Sequence, residues 1–464
     1  MKLRFLLACF ATPLTAAALS STLVAGCDIG LNDGLHNPGD EPGGVNLAFG
    51  DIAVSPDGKY VVFEQNDQLA LGWVETGAIE TLPIYAPARL AFSKSRDVVY
   101  VTTELGSLHA LDISDRDNLW SVSTGLSDDP MLVVTKDDSR VAVGSSRFVA
   151  LYDTAAGDPV ATTELDRPIV DLELLPDDGR VLAVEEHVWP EDEQGPPTTE
   201  IHVISLEGGA SRSFSVPNCA DDIIVPSHGA MALLAPSLCL RPSTGSGHDP
   251  ISYIDLTPGE EAFVKNLPGY GPVALTPDGT TAVGFLDLQE VEASLFEDPE
   301  QIPQGPRYHL MILDTETLSY DFAPYGEVIP RYALGPDGHT LLVDEPLGDT
   351  ARIFDVETMA FRDVAGLSTY EQLSFTSDTK SAYVLSDWEQ HLTGEESYVD
   401  YALFQLDVDS AKARTMKTDF RPRNINFSPD DARLFLRQSD TEICIYDLAS
   451  ESCSQRFVLE PSES

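Results

Sequence analysis

The sequence predicts an all-β fold in which one structural unit repeats around a ring, and three observations carry that prediction. One pattern recurs nine times between residues 50 and 460: an apolar strand, a tight polar turn, a second apolar strand, a gap, a third strand ending in aspartate, and a fourth strand. The strand segments are short, β-branched or aromatic and bounded by turn residues, as in Tyr60-Val61-Val62-Phe63 and Thr340-Leu341-Leu342-Val343. No segment sustains a helical period with caps, and the 32 prolines and 33 glycines fall mostly between strands. A four-stranded unit every ~40–50 residues is the mark of a propeller blade. The predicted architecture is a single β-propeller of four-stranded blades. Nine repeats are read; eight with one unit misread, or seven plus an appendage, stay open.

The chain begins with a segment, 1–26, outside the repeats: Lys2 and Arg4, then an apolar stretch from Phe5 through Leu23. Its ending, Leu23-Val24-Ala25-Gly26-Cys27, resembles a bacterial lipoprotein processing site, which implies a lipid on Cys27. Pro13 and the many Ala, Ser and Thr residues argue against an uncleaved transmembrane helix. Asp28 resembles the inner-membrane retention signal of enteric lipoproteins, a code other bacterial groups do not obey, so the choice of membrane stays open. The expected location is the cell envelope, on the periplasmic or cell-surface side. Residues 27–46 are rich in Gly, Pro, Asn and Asp and read as a flexible tether. As a coil, the 19 residues 28–46 span about 25 Å. The propeller domain is read as 47–460, with 461–464 as a short tail.

Within the repeats, the first turn is clearest as Ser55-Pro56-Asp57-Gly58, Thr276-Pro277-Asp278-Gly279, Gly335-Pro336-Asp337-Gly338 and Ser428-Pro429-Asp430-Asp431. Proline presets φ, aspartate hydrogen-bonds locally and glycine takes positive φ, so these aspartates are read as structural rather than catalytic. The aspartates that close the third strands, Asp112, Asp153, Asp255, Asp314, Asp355, Asp407 and Asp447, are read the same way. Residues 45–49 are a candidate sealing strand for the ring.

Cys9 leaves with the leader and Cys27 carries the lipid, which leaves Cys219, Cys239, Cys444 and Cys453. An even number in an exported chain suggests disulfides. The repeat register favours Cys219–Cys239, across the first two strands of the fifth unit, and Cys444–Cys453, across the last two of the ninth. No Cys-x-x-Cys spacing suggests redox or zinc chemistry.

The formal charge is −48, from 76 acids and 28 bases, and removing the leader makes it −50. Such a surface repels nucleic acid and anionic headgroups. The acids are spread through nearly every repeat, which favours solvation of the whole surface over one ligand site. Four units nevertheless carry extra length between their second and third strands, at roughly 186–200, 237–250, 287–307 and 387–399. These connections share one face of a propeller, opposite the Pro-Asp-Gly turns, and loops on a rigid scaffold carry binding residues. The candidate binding face comprises Glu186, His187, Trp189 and Asp192 from the first insertion, Asp287, Glu290 and Glu292 from the third, and Trp388, Glu389 and His391 from the fourth. Carboxylates converging there could take a hard cation such as Ca²⁺. Tryptophan beside acids suits a basic or aromatic partner.

Two resemblances follow from the turns. Ser-Pro-Asp-Gly before an apolar strand resembles the WD40-like repeats of TolB-type periplasmic propellers. Val99-Tyr100-Val101-Thr102-Thr103 with Leu111-Asp112 is similar to the Tyr-Val-Thr-Asn repeats of surface-layer and lactonase-like propellers. Both imply fold rather than activity. The Trp-Asp dipeptide of WD40 repeats is absent, and Trp73, Trp120, Trp189 and Trp388 do not recur at the blade spacing of quinoprotein dehydrogenases. No Gly-x-Ser-x-Gly elbow or His-Glu-x-x-His motif is present, and Asp112, Asp115 and Asp117 match only part of a calcium loop. The expected function is a lipid-anchored, non-catalytic scaffold that binds an envelope protein or extracellular polymer. Lipoprotein propellers of outer-membrane assembly machinery resemble it in anchor and ring. The alternative is a metal-dependent lactonase or hydrolase with its metal in the channel.

Overall fold

The computed structural model describes residues 45–46 and 52–458, apart from 128, 178, 190–196, 209–211, 220–221, 227–229, 236–239, 242–244, 247–249, 258–261, 290, 292, 297, 330, 345–349, 368–369, 394–395 and 440–441. The described residues form nine blades, each a four-stranded antiparallel ladder taken in chain order; Val45–Asn46 adds a fifth strand to the second blade, and a two-stranded ladder, Leu240–Arg241 with Gly245–Ser246, stands between the second and third strands of the fifth. Nine blades are therefore present, and the readings with seven or eight fall away. The first strands are Ile52–Val54, Pro87–Phe92, Met131–Val134, Ile169–Leu174, Asp222–Ile224, Tyr270–Leu275, Arg331–Leu334, Gln372–Phe375 and Asn424–Phe427. These approach one another from blade to blade and so line the central channel, and the first strand of blade 1 lies beside that of blade 9.

The second and third strands read as nearly unbroken apolar runs because both of their faces are buried. In blade 1, Val61 and Phe63 pack toward blade 9 and Val62 packs toward blade 2. In blade 2, Val99 and Val101 pack back toward blade 1, whereas Val98 and Tyr100 pack forward toward blade 3. One apolar cluster fills each of the nine blade-to-blade interfaces. The closing interface joins Ile52, Phe63 and Ala70 of blade 1 to Phe435, Ile445 and Phe457 of blade 9. Phe63 and Phe457 lie with ring centroids 6.5 Å apart. Gly72 makes room for this pair, since a Cβ there would lie 3.0 Å from the Phe457 ring. Phe457 is fully buried, and burial of such a side chain stabilises by about 1.5–3 kcal/mol.

On one face the first turns of the blades are saturated with hydrogen bonds. The hydroxyl of the first turn residue donates to the aspartate and accepts the N–H that opens the second strand. Ser55 Oγ meets Asp57 at 2.7 Å and the Tyr60 N–H at 3.0 Å. Thr276 meets Asp278 at 2.6 Å and the Thr281 N–H at 3.0 Å. The fourth turn position takes positive φ, at Gly58, Gly279 and Gly338 and also at Asp138, Thr379 and Asp431. This position leans on the turn of the preceding blade. A Cβ at Gly58 would lie 3.3 Å from Pro429, and one at Gly338 would lie 3.2 Å from Pro277. Where a side chain is present it bridges the gap. Asp138 accepts from Ser93 Oγ at 2.7 Å and from the Ser95 N–H at 2.9 Å. Thr379 Oγ1 accepts from the Asp337 N–H at 3.0 Å, and Asp431 accepts from the Ser377 N–H at 2.9 Å. The third-strand aspartates cap their own turns on this face, as Asp355 does with the Thr358 N–H at 2.7 Å and Asp447 with the Ser450 N–H at 2.7 Å. Both sets of aspartates have the turn role expected of them.

Cys444 and Cys453 are disulfide-bonded across the last two strands of blade 9, with Cα atoms 5.7 Å apart. Cys219 is buried and disulfide-bonded; its expected partner, Cys239, lies outside the described residues. Within residues 45–49, Val45–Asn46 does not seal the closing blade. It pairs antiparallel with the inner edge of blade 2, Val45 opposite Leu90 and Asn46 opposite Arg89.

Phe457→Ala should open a cavity at the closing interface and lower unfolding free energy by about 3–5 kcal/mol, read as a lower urea midpoint. Hydroxyl donors hold the Asp112 and Asp407 carboxyls below the ordinary range, backbone N–H groups do so at Asp314 and Asp447, and Asp378 is held at about 2, chiefly by the Lys380 N–H. A carboxyl whose folded pKa is depressed contributes stability that is complete above about pH 4 and lost as pH falls through its folded value. The urea midpoint should therefore drop between about pH 4 and pH 2, and a midpoint that stays level across that window contradicts the turn assignment.

Candidate functional site

Four antiparallel strands put the first and third turns of every blade on one face and the second turn, with the blade-to-blade connection, on the other. The turn face is committed to structure. The opposite, loop face carries the four added lengths between second and third strands: connections after Arg180–Glu185, Met231–Ala235 and Thr281–Asp287, and in blade 8 a prolongation of the paired strands Ser381–Thr393 and Glu396–Asp407. Three of these belong to adjacent blades, 4, 5 and 6; the other belongs to blade 8.

At the roots of the connections the second strands end on buried polar residues: Gln65, Thr103, Ser145, Glu185, Asp287 and Asp344. An unpaired buried carboxylate costs several kcal/mol; Asp287 and Asp344 are answered by arginines on both oxygens, whereas Glu185 is hydrogen-bonded through Oε1 alone and has Arg167 Nε 3.7 Å from Oε2. Glu185 accepts from the Asp166 and Arg167 N–H groups at 2.8 and 3.3 Å and meets His202 Nε2 at 3.1 Å. Asp287 takes Arg307 through Nε at 2.9 Å and Nη2 at 2.6 Å. Burial pushes its pKa up, and the bonds from Arg307 and the Gln289 N–H overcome this to hold it below the ordinary range. Asp344 takes Arg331 at 3.1 and 2.8 Å and the Tyr370 N–H at 2.9 Å, while Arg331 also reaches Glu371 at 3.1 Å. Burial works against the Arg331 charge, but Asp344 and Glu371 raise its pKa and keep it charged. Of the candidate face residues, Asp287 is thus a root of the blade 6 insertion, fully buried and clamping its two ends together.

The first insertion begins as a continued ladder, with reciprocal Val188 and Thr198 N–H···O bonds of 2.9 Å. Glu186 is exposed and its carbonyl accepts from Arg167 at 3.0 Å. His187 and Trp189 are half-buried and meet edge-to-face at 5.8 Å. Asp192 lies outside the described residues. In the third insertion Glu290 and Glu292 also lie outside them. The rest of that insertion turns through Ala293–Leu295 and Pro299–Gln301 and lays Phe296 against Tyr320 and Phe322, at 6.2 and 6.0 Å. It is pinned over its own blade rather than free. The apolar spacing of Val291, Leu295, Phe296 and Ile302 within the acidic run was the sequence signal for this packing. The fourth insertion, expected as a loop, is a hairpin extension: Ser381–Thr393 pairs with Glu396–Asp407. Trp388, Glu389 and His391 sit on its first strand, with Glu389 opposite Asp400 and His391 opposite Tyr398.

Nothing in the sequence singles out the apolar tips. Among the described residues the exposed large apolar side chains include Tyr85, Leu105, Val188, Val328 and Val458. These five fall at loop-face ends (fourth-strand C-termini, blade-to-blade connections or second-to-third turns), whereas the other two, Leu119 and Phe263, lie toward the turn-face ends of fourth strands. Tyr85 and Leu105 adjoin one another, because the Glu104 N–H donates to the Ala86 carbonyl at 2.9 Å. Among the described residues no three His, Cys, Asp or Glu side chains gather as a metal-holding group.

No family model matches the chain, and no curated protein matches it. Solved structures do. The chain is similar to a eukaryotic initiation factor at 16% identity and TM-score 0.51, over 79% of this chain and 87% of that one. It is also similar to the dihydro-heme d1 dehydrogenase NirN in complex with DHE, at 13% identity and TM-score 0.48, over 88% and 74%. A third likeness is to oligogalacturonate lyase in complex with manganese, at 13% identity and TM-score 0.43, over 79% and 91%. At these identities the likeness is one of fold alone.

Arg307→Ala strands the buried Asp287 carboxylate and should cost about 3–5 kcal/mol. Asp287→Ala combined with Arg307→Ala should recover part of that loss. A single variant as stable as the parent in urea contradicts the clamp.

Proposed function

We propose that this protein is a lipid-anchored binding scaffold of the bacterial cell envelope, non-catalytic, which holds another envelope protein or an extracellular polymer on its loop face. The observation that carries the reading is the asymmetry between the two faces. The turn face spends its polar groups on its own turns and on neighbouring blades, whereas the loop face carries the four long connections and the apolar tips Tyr85, Leu105 and Val188. Interfaces combine buried apolar and aromatic anchors with a polar rim, and the loop face offers both. The acidic insertions favour a partner with basic groups, drawn in by a charge field that salt screens. The lipid on Cys27 is supported by the small residues before it and by the Gly- and Pro-rich tether after it. It would keep the ring close to a membrane that its own charge repels.

Two measurements test the reading. Cys27→Ser should abolish incorporation of labelled palmitate and move the protein to the soluble fraction; unchanged fractionation contradicts the anchor. Photo-crosslinking residues at Val188 and Asp298, both exposed on the loop face, should give adducts in intact envelopes, and the same residues at Lys94 and Lys380 on the turn face should not. Adducts from the turn face alone overturn the assignment.

A further inference from the structure

The direction of the short strand Val45–Asn46 fixes how the chain enters the ring. Each first strand runs from the loop face to the turn face, since the first turn follows it. Val45–Asn46 is antiparallel to Pro87–Phe92 on its free inner edge, with Val45 opposite Leu90 and Asn46 opposite Arg89. Passing from 45 to 46 therefore moves the chain toward Pro87, which is the loop-face end of the channel. The next strand, Ile52–Val54, starts at that same end and runs back toward the turn face. At Val45 the chain thus runs from the side of Phe92, the turn face, toward the loop face.

We infer that the N-terminal tether joins the domain through the central channel from the turn face, so that the turn face looks toward the membrane and the long-loop face is presented away from it. The membrane half of this statement rests on the lipid at Cys27. It deepens the binding reading in one respect: a partner held on the loop face lies on the far side of the ring from the protein's own membrane, where a second surface or an extracellular polymer is within reach. It also explains the division of labour between the faces. The face that the tether holds near the lipid is the one closed by short, hydrogen-bonded turns.

The test uses the full-length lipidated protein in vesicles of phosphatidylethanolamine and phosphatidylglycerol that carry an acceptor dye on the lipid. A donor dye is placed through Lys94→Cys on the turn face or Glu104→Cys on the loop face. Both positions are exposed in blade 2 and are separated by the length of one strand, about 20 Å for six residues. Energy transfer should be greater from position 94. Equal transfer, or greater transfer from position 104, overturns the orientation. Palmitate labelling is read on the same samples, so an unlabelled protein overturns the anchor and the orientation together, whereas a labelled protein with reversed transfer overturns the orientation alone. The channel pairing has its own readout: Asn46→Cys with Arg89→Cys should form a disulfide. If that pair disturbs folding, slow hydrogen exchange of the 45 and 46 amides in the parent reports the same contact. Rapid exchange of both amides overturns the channel route.

Discussion

Closure of the ring is the constraint on which the rest of the structure depends. A four-stranded blade here has two apolar faces and can bury neither alone. Val61 and Phe63 need blade 9 on one side, while Val62 needs blade 2 on the other. Satisfying one blade creates the same demand at the next, and only a ring in which blade 9 meets blade 1 ends the series. The Phe63–Phe457 contact, with Gly72 leaving space beside it, is where the series ends. Among the described residues five of the turns lean on the turn before, by hydrogen bonds as Asp431 does on Ser377 or by close approach as Gly58 does on Pro429.

This arrangement leaves the two ends of the ring unequal. On the turn face hydroxyls, carboxylates and backbone N–H groups are consumed in pairs, and the geometry tolerates little insertion. On the loop face the chain must still return from second strand to third, but nothing in the closure fixes how long that path is. The connections with added length are secured at their roots instead. Asp287 with Arg307 clasps the two ends of the blade 6 insertion, and Glu185 holds the backbone of residues 166 and 167 beside the start of the blade 4 insertion. The scaffold and its variable part meet at these buried carboxylates.

Much of this was legible in the sequence because the repeat is local. Ser-Pro-Asp-Gly declares its turn within four residues, and runs such as Val98-Val99-Tyr100-Val101 declare a strand buried on both sides. Blade count followed from counting turns. What was not legible depends on contacts between distant residues. Asp287 looked like one acid among many in an acidic insertion, and only the partner 20 positions later makes it a buried ion pair. The blade 8 insertion looked like a loop because Trp388, Glu389 and His391 sit among polar residues, yet backbone pairing with residues 396–407 carries it as a hairpin. The exposure of Tyr85 and Leu105 could not be read either, since an apolar residue at a strand end is as often covered as bare.

On the proposed reading, added length on the loop face serves binding and not the ring. The blade 8 hairpin tests it most directly, because it can be cut back to the paired residues Ser386 and Ala402 and closed with a short turn. Urea unfolding and photo-crosslinking from Val188 are then measured on the trimmed and parent proteins. The expected result is an unchanged unfolding midpoint with weakened or lost adducts. A trimmed protein that unfolds at markedly lower urea while its adducts persist would contradict it.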